Sequence, residues 1–225
     1  MSYQNFSPRG YSMLPEGIKY LLVINGICYL AQSMLGNTPL GPFIDSLALY
    51  QPGSSQFHFY QIITSVFMHG SFTHLLSNMF ALWMFGRQLE YELGSQRFFT
   101  YYMVCGVGAA LLQMGVGYAE YQHAVAAGGM QGAMHLLYVP TVGASGAVFG
   151  LLLAFGVLHP NNVIMLIFPP IALKAKWFVL IYGLLELFFG LSGYQSGVAH
   201  FAHLGGMLWG LGLLYWWRKQ RKIFF

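Results

Sequence analysis

The sequence predicts an all-α fold, a polytopic membrane bundle of six transmembrane helices. Three observations predict it. The chain has 225 residues, of which 56% are hydrophobic and only 7% charged, against about 25% charged in an ordinary soluble domain. Sixteen charged side chains cannot coat a soluble surface of that size. Six apolar stretches approach the roughly 20 residues a spanning helix needs. The ten Lys and Arg fall on one face of the resulting six-span arrangement. High hydrophobicity excludes a disordered chain. The net charge of +4 reflects few acids rather than a dense basic patch, so nucleic acid is not an expected partner.

The spans are read at about Ile18 to Leu35, Phe72 to Glu90, Phe98 to Tyr118, Gly143 to Leu158, Trp177 to Leu191 and Ala199 to Trp217. Breakers separate them: Gly36-Asn37-Thr38-Pro39, Gln51-Pro52-Gly53, Gly128-Gly129, Pro140, His159-Pro160-Asn161-Asn162 and Pro169-Pro170. The long connection from Gly36 to Gly70 reads as an irregular loop in the membrane interface. The first 19 residues are polar and broken by Pro and Gly, so no cleavable signal peptide is expected. Cys28 and Cys105 both sit in apolar stretches and read as buried small hydrophobes. The expected organisation is a short cytoplasmic segment over 1–17, a six-span membrane domain over 18–217 and a basic cytoplasmic tail over 218–225.

Arg9, Lys19, Arg87, Arg97, Lys174, Lys176, Arg218, Lys219, Arg221 and Lys222 all lie at the termini or in the second and fourth connections. The positive-inside rule then puts both termini in the cytoplasm. The Arg218 to Lys222 cluster reads as an anchor at the anionic leaflet.

Polar groups within spans mark candidate sites. Here they are His74, Asn78, Ser145, Glu186, His200 and His203. A rise of 1.5 Å per residue across a core of about 30 Å sets their depths. Ser145 comes out about 9 Å below the outer face, His203 about 8 Å and His74 about 10 Å. Asn78 lies one turn further in, on the face of His74. Singly, each has a plainer reading: small residues pack helices, and His or Asn bridges them. Their common level is what raises the joint reading. Gly146, Gly150 and Ala154 in the fourth span match Ala202, Gly206 and Gly210 in the sixth as small-residue stripes. Packing of those stripes would bring the Ser145 hydroxyl to the His203 imidazole, as a nucleophile and its base require. Glu186 is near mid-membrane without an obvious charged partner. It reads as protonated or hydrogen-bonded across helices.

At these residues the sequence resembles the rhomboid family of intramembrane serine proteases. The likeness rests on Gly143-Ala144-Ser145-Gly146 and on the stretch from His69 to Asn78, with His74 and Asn78 four apart. It rests also on Ala199 to Gly206 with Gly210, and on Phe85-Gly86 through Glu90 to Leu93-Gly94. The resemblance implies a Ser–His dyad without a buried carboxylate: Ser145 as nucleophile and His203 as general base. His74, Asn78 and the Ser145 backbone N–H would form the oxyanion hole, with His69 and His200 in support. The only Asp is Asp45 in the first loop, and Glu186 is read as too deep to complete a triad. Many members carry Trp-Arg where this chain has Tyr60-Gln61, which puts the anchoring of the first loop in doubt.

The implied substrates are membrane proteins whose transmembrane helices unwind easily, reached laterally from the bilayer. Trp83, Phe85, Trp177, Phe178, Phe188 and Phe189 are read as a gate or, for most of them, as lipid-facing. The expected location is a bacterial inner membrane, with the site opening to the non-cytoplasmic side. No cofactor and no metal is expected. Two rival readings are a catalytically silent rhomboid-like membrane-protein binder and a small transporter using intramembrane His and Glu. Metal ligation by His200/His203 or His69/His74 is weak on spacing alone, because no third ligand clusters with either pair in the sequence.

Overall fold

The computed structural model describes residues 13–166, 170–192 and 198–220. Arg9, Pro169, Arg221 and Lys222, used in the sequence reading, lie outside the described residues. Helices stand on all six expected segments: α1 (Glu16–Leu35), α4 (Phe72–Leu93), α5 (Ser95–Ala126), α7 (Ser145–Leu158), α8 (Ala175–Ser192) and α9 (His200–Lys219). Short helices α2 (Gly41–Asp45) and α3 (Gln61–Thr64) lie in the first connection, and α6 (Met130–Tyr138) lies in the third. One departure from an all-helical chain is an antiparallel pair, β1 (Val163–Met165) with β2 (Ala172–Lys174), between α7 and α8. Among the described residues, α1, α5 and α8 are long and apolar enough to cross a membrane; α7 is apolar but has 14 residues.

Local chemistry sets the helix ends. Ser71 is extended, and its hydroxyl accepts from the His74 N–H at 3.1 Å, capping α4. Pro15 precedes α1, where a missing N–H is harmless. The free N–H groups of α1 are met by a distant side chain. Glu90 Oε1 accepts from Gly17 N–H at 2.7 Å and Oε2 from Ile18 N–H at 2.8 Å, while Ser95 Oγ donates to Oε1 at 2.6 Å. A carboxylate at a helix N-terminus also meets the positive end of the helix dipole.

Helix α5 runs past the expected end at Tyr118 to Ala126. No Pro lies between Tyr118 and Gly128, so nothing local stops it.

Helix α7 is apolar on all sides and is packed by α4, α5, α8 and α9. The two small-residue stripes meet: a Cβ on Gly206 would collide with the Gly146 carbonyl. That approach brings the backbones of α7 and α9 together near the start of α7. From α5, Tyr101 donates its hydroxyl to Gly150 O at 2.9 Å. Cys105 is fully buried in this core, whereas Cys28 is half-buried.

The first connection is tied together by Gln61, which is fully buried. Its Oε1 accepts from the Tyr50 and His58 N–H groups, both at 3.2 Å. Its Nε2 donates to Ser46 O at 2.9 Å and Gln56 O at 2.7 Å. An amide has both donor and acceptor, so one side chain closes four backbone groups. Tyr60 stacks on His58, with ring centroids 5.1 Å apart. The doubt raised by Tyr60-Gln61 is answered by this network.

Candidate active site

The loop ahead of α7 is held before the helix begins. Leu49 and Thr141 exchange backbone hydrogen bonds of 3.0 and 2.8 Å, and Gly143 N–H donates to Ser65 O at 3.0 Å. Gly143 has φ +131°, a conformation that favours glycine. A Cβ there would also lie 2.7 Å from His74 Cε1. This turn sets Ser145 as the first residue of α7, beside the His74 ring.

Ser145 Oγ lies 2.9 Å from His203 Nε2, across the α7–α9 contact. Phe149, four residues on from Ser145, stacks on the His203 ring at 4.1 Å with 5° between planes. A cavity of about 580 Å³ opens here, lined by His74, Asn78, Ser145, Phe149, Tyr182 and His203, among others. Asn78 is buried, and its Nδ2 has no hydrogen-bond partner among the described residues. A buried amide donor facing a cavity is poised to meet an incoming acceptor.

Glu186 is hydrogen-bonded across helices, as one of its two readings expects, but it is not too deep to reach His203. Its Oε2 lies 2.8 Å from His203 Nδ1 and 2.7 Å from His200 Nδ1. The depth estimate assumed helices parallel to the membrane normal. Membrane helices are commonly tilted, and a Glu side chain reaches several ångströms along its helix, so level alone does not decide its partners. A local signal existed: Tyr182 and Glu186 are four apart on α8 and share one face. The same cluster removes the argument that no third ligand accompanies the histidines. Glu186, His200 and His203 offer ligand atoms within 4.8 Å of one another, a set able to hold a divalent cation. The same three residues are joined by the two hydrogen bonds to Glu186 Oε2.

His69 is buried, with its ring edge-on to His74 at 5.2 Å. Its backbone is clamped by Gln32, whose Oε1 accepts from His69 N–H at 2.9 Å and whose Nε2 donates to His69 O at 3.3 Å. Burial, and then the neighbouring His74, push its imidazole down to about 4. Of the aromatics read as gate or lipid-facing, Phe85 is neither. It is 5% exposed and packs on Phe155 at 5.4 Å. Trp177 and Phe188 are exposed, and Trp83, Phe178 and Phe189 are half-buried.

The family model for the Rhomboid domain matches residues 56–220. Rhomboid protein 1, mitochondrial, of Saccharomyces cerevisiae is 33% identical over 162 residues, covering 72% of this chain and 42% of that protein. Rhomboid-like protein 11, chloroplastic, of Arabidopsis thaliana is 31% identical over 206 residues, covering 89% of this chain and 65% of that protein. The Bacillus subtilis protein YdcA, named provisionally as a rhomboid protease, is 26% identical over 207 residues and is covered over 91% of its length. The chain thus spans less than two thirds of the yeast and plant relatives.

Proposed function

This chain belongs to the rhomboid family of helical, integral membrane proteins, and from that premise we propose that it is an intramembrane serine endopeptidase. The observation that carries the proposal is the 2.9 Å approach of Ser145 Oγ to His203 Nε2 on the wall of the cavity. Ser145 is the nucleophile and His203 the base. The imidazole takes the hydroxyl proton as Oγ attacks the scissile carbonyl carbon, then passes it to the leaving amine nitrogen. Water repeats the sequence on the acyl-enzyme. The free Nδ2 of Asn78 supports its role as an oxyanion donor. His74, against Gly143, and the Ser145 N–H complete that hole. Three donors aimed at a developing oxyanion do more for the transition state than for the substrate.

We read all six long helices as spans. The distribution of Lys and Arg supports cytoplasmic termini, with the cavity facing the opposite compartment. A bacterial inner membrane fits this reading. Substrates are membrane proteins with a helix that unwinds near that level, because a helical carbonyl is held in the ladder and closed to attack. Gly or Pro in the substrate helix favours that unwinding.

The test is chemical. A fluorophosphonate probe labels the detergent-solubilised protein at Ser145, and Ser145→Ala loses both labelling and cleavage of a single-span substrate. His203→Ala stays folded and loses turnover. Cleavage that persists in Ser145→Ala removes the serine from the mechanism.

A further inference from the structure

Glu186 is 7% exposed. A carboxylate that buried needs donors. Among the described residues, the His200 and His203 Nδ1 groups supply them, both on the single oxygen Oε2. Two ring nitrogens converging on one oxygen favour the ionised form of Glu186 over the protonated one, and an ionised carboxylate can only accept, so each Nδ1 carries its hydrogen. For His203 this leaves the lone pair on Nε2, which faces Ser145 Oγ at 2.9 Å. That is the tautomer a general base needs. The opposite tautomer would set a bare Nδ1 against a carboxylate oxygen, two acceptors in contact. Phe149 covers one ring face at 4.1 Å, so the ring is held by its face and by both nitrogens.

We infer that Glu186 is a positioning residue for the proposed hydrolysis, completing a Ser145–His203–Glu186 relay whose carboxylate is fixed by His200. It rests on the protease reading above. When Ser145 Oγ bonds to the scissile carbon, its proton moves to His203 Nε2. The Nδ1–H stays on the ring, and the carboxylate balances the imidazolium. The Nε2 proton then leaves with the amine as the C–N bond breaks. Glu186 neither gains nor loses a proton in either step. His200 Nδ1 bonds Glu186 Oε2, and its part is to hold that oxygen in place.

Because one oxygen serves both rings, Gln separates geometry from charge. The amide oxygen of Glu186→Gln can accept from both Nδ1–H groups but carries no charge. Leu removes both functions. The experiment compares Glu186→Gln, Glu186→Leu and Glu186→Asp with wild type, full-length in detergent, on a single-span substrate and a fluorophosphonate probe. For Gln, kcat falls roughly 10- to 10²-fold at unchanged KM and unchanged unfolding temperature, and Ser145 labelling slows in step. For Leu, kcat falls roughly 10³-fold. Asp restores part of the loss. Wild-type kcat and labelling in both Gln and Leu variants overturn the inference. So does a loss that follows only the folded fraction. Ser145→Ala is run alongside: turnover surviving there sinks the protease reading itself, whereas a dead Ser145→Ala with an indifferent Glu186 sinks this inference alone.

Discussion

Two glutamates are buried at opposite ends of the bundle, Glu90 at 3% exposure and Glu186 at 7%. By residue type and burial they look alike. Their donors make them different. Glu90 uses both oxygens, and its partners are the backbone N–H groups of Gly17 and Ile18 and the Ser95 hydroxyl. None of these donors titrates near neutral pH. The result is a fixed joint between the start of α1 and the end of α4. Among the described residues, Glu186 uses one oxygen, and its partners are two imidazoles. One of those reaches the Ser145 hydroxyl. A buried carboxylate is therefore a fastener or part of a reaction according to what it accepts from. The surroundings agree. Near Ser145, a cavity and a free amide donor on Asn78 accompany the carboxylate. Near Glu90, the three donors named above meet its carboxylate.

The comparison can be broken most directly by Glu90→Gln. An amide nitrogen would face a backbone N–H, donor against donor, so the substitution cannot preserve the joint as it can at Glu186. Stability should fall by about 3 kcal/mol, read as a lower unfolding temperature in detergent. The folded fraction should keep wild-type kcat. A loss of kcat at unchanged stability would put Glu90 on the reacting side and erase the contrast. Asn78→Ala sharpens the other end. Turnover should drop about 10²-fold, some 2.7 kcal/mol, with little change in unfolding temperature. An unchanged rate would take Asn78 out of the oxyanion hole.

The smallest effect concerns a buried base with no acid beside it. His69 sits ahead of α4, and its imidazole is pushed down to about 4 from the ordinary 6.5. The unfolded chain takes up this proton first. The stability is therefore present above pH 6.5 and lost as the pH falls toward 4. Between pH 7 and 5 this group alone should remove about 2 kcal/mol. His69→Phe should flatten that part of the profile in a thermal unfolding series. An equally steep profile in the variant would move the titration elsewhere.

Much of this was readable along the chain. Helix locations follow from apolar length between Pro and Gly breakers, which are local properties. His74 and Asn78, four apart, share a helix face whatever surrounds them. The stripes of Gly146 and Gly206 announce a close helix contact, and with it the approach of Ser145 to His203. Gln61 reads as a lone substitution in a loop until its four backbone partners are in view. The end of α5 at Ala126 carries no strong stop signal. Glu186 is the sharpest case. Its identity and face were legible, but its partners belong to another helix. A periodic pattern gives a side chain's face and an approximate level. Which atoms meet depends on the tilt and rotation of separate rods, and on the few ångströms of reach in a side chain. Those are settled when all the helices pack at once, and that collective packing decided which of two similar carboxylates would touch the histidine.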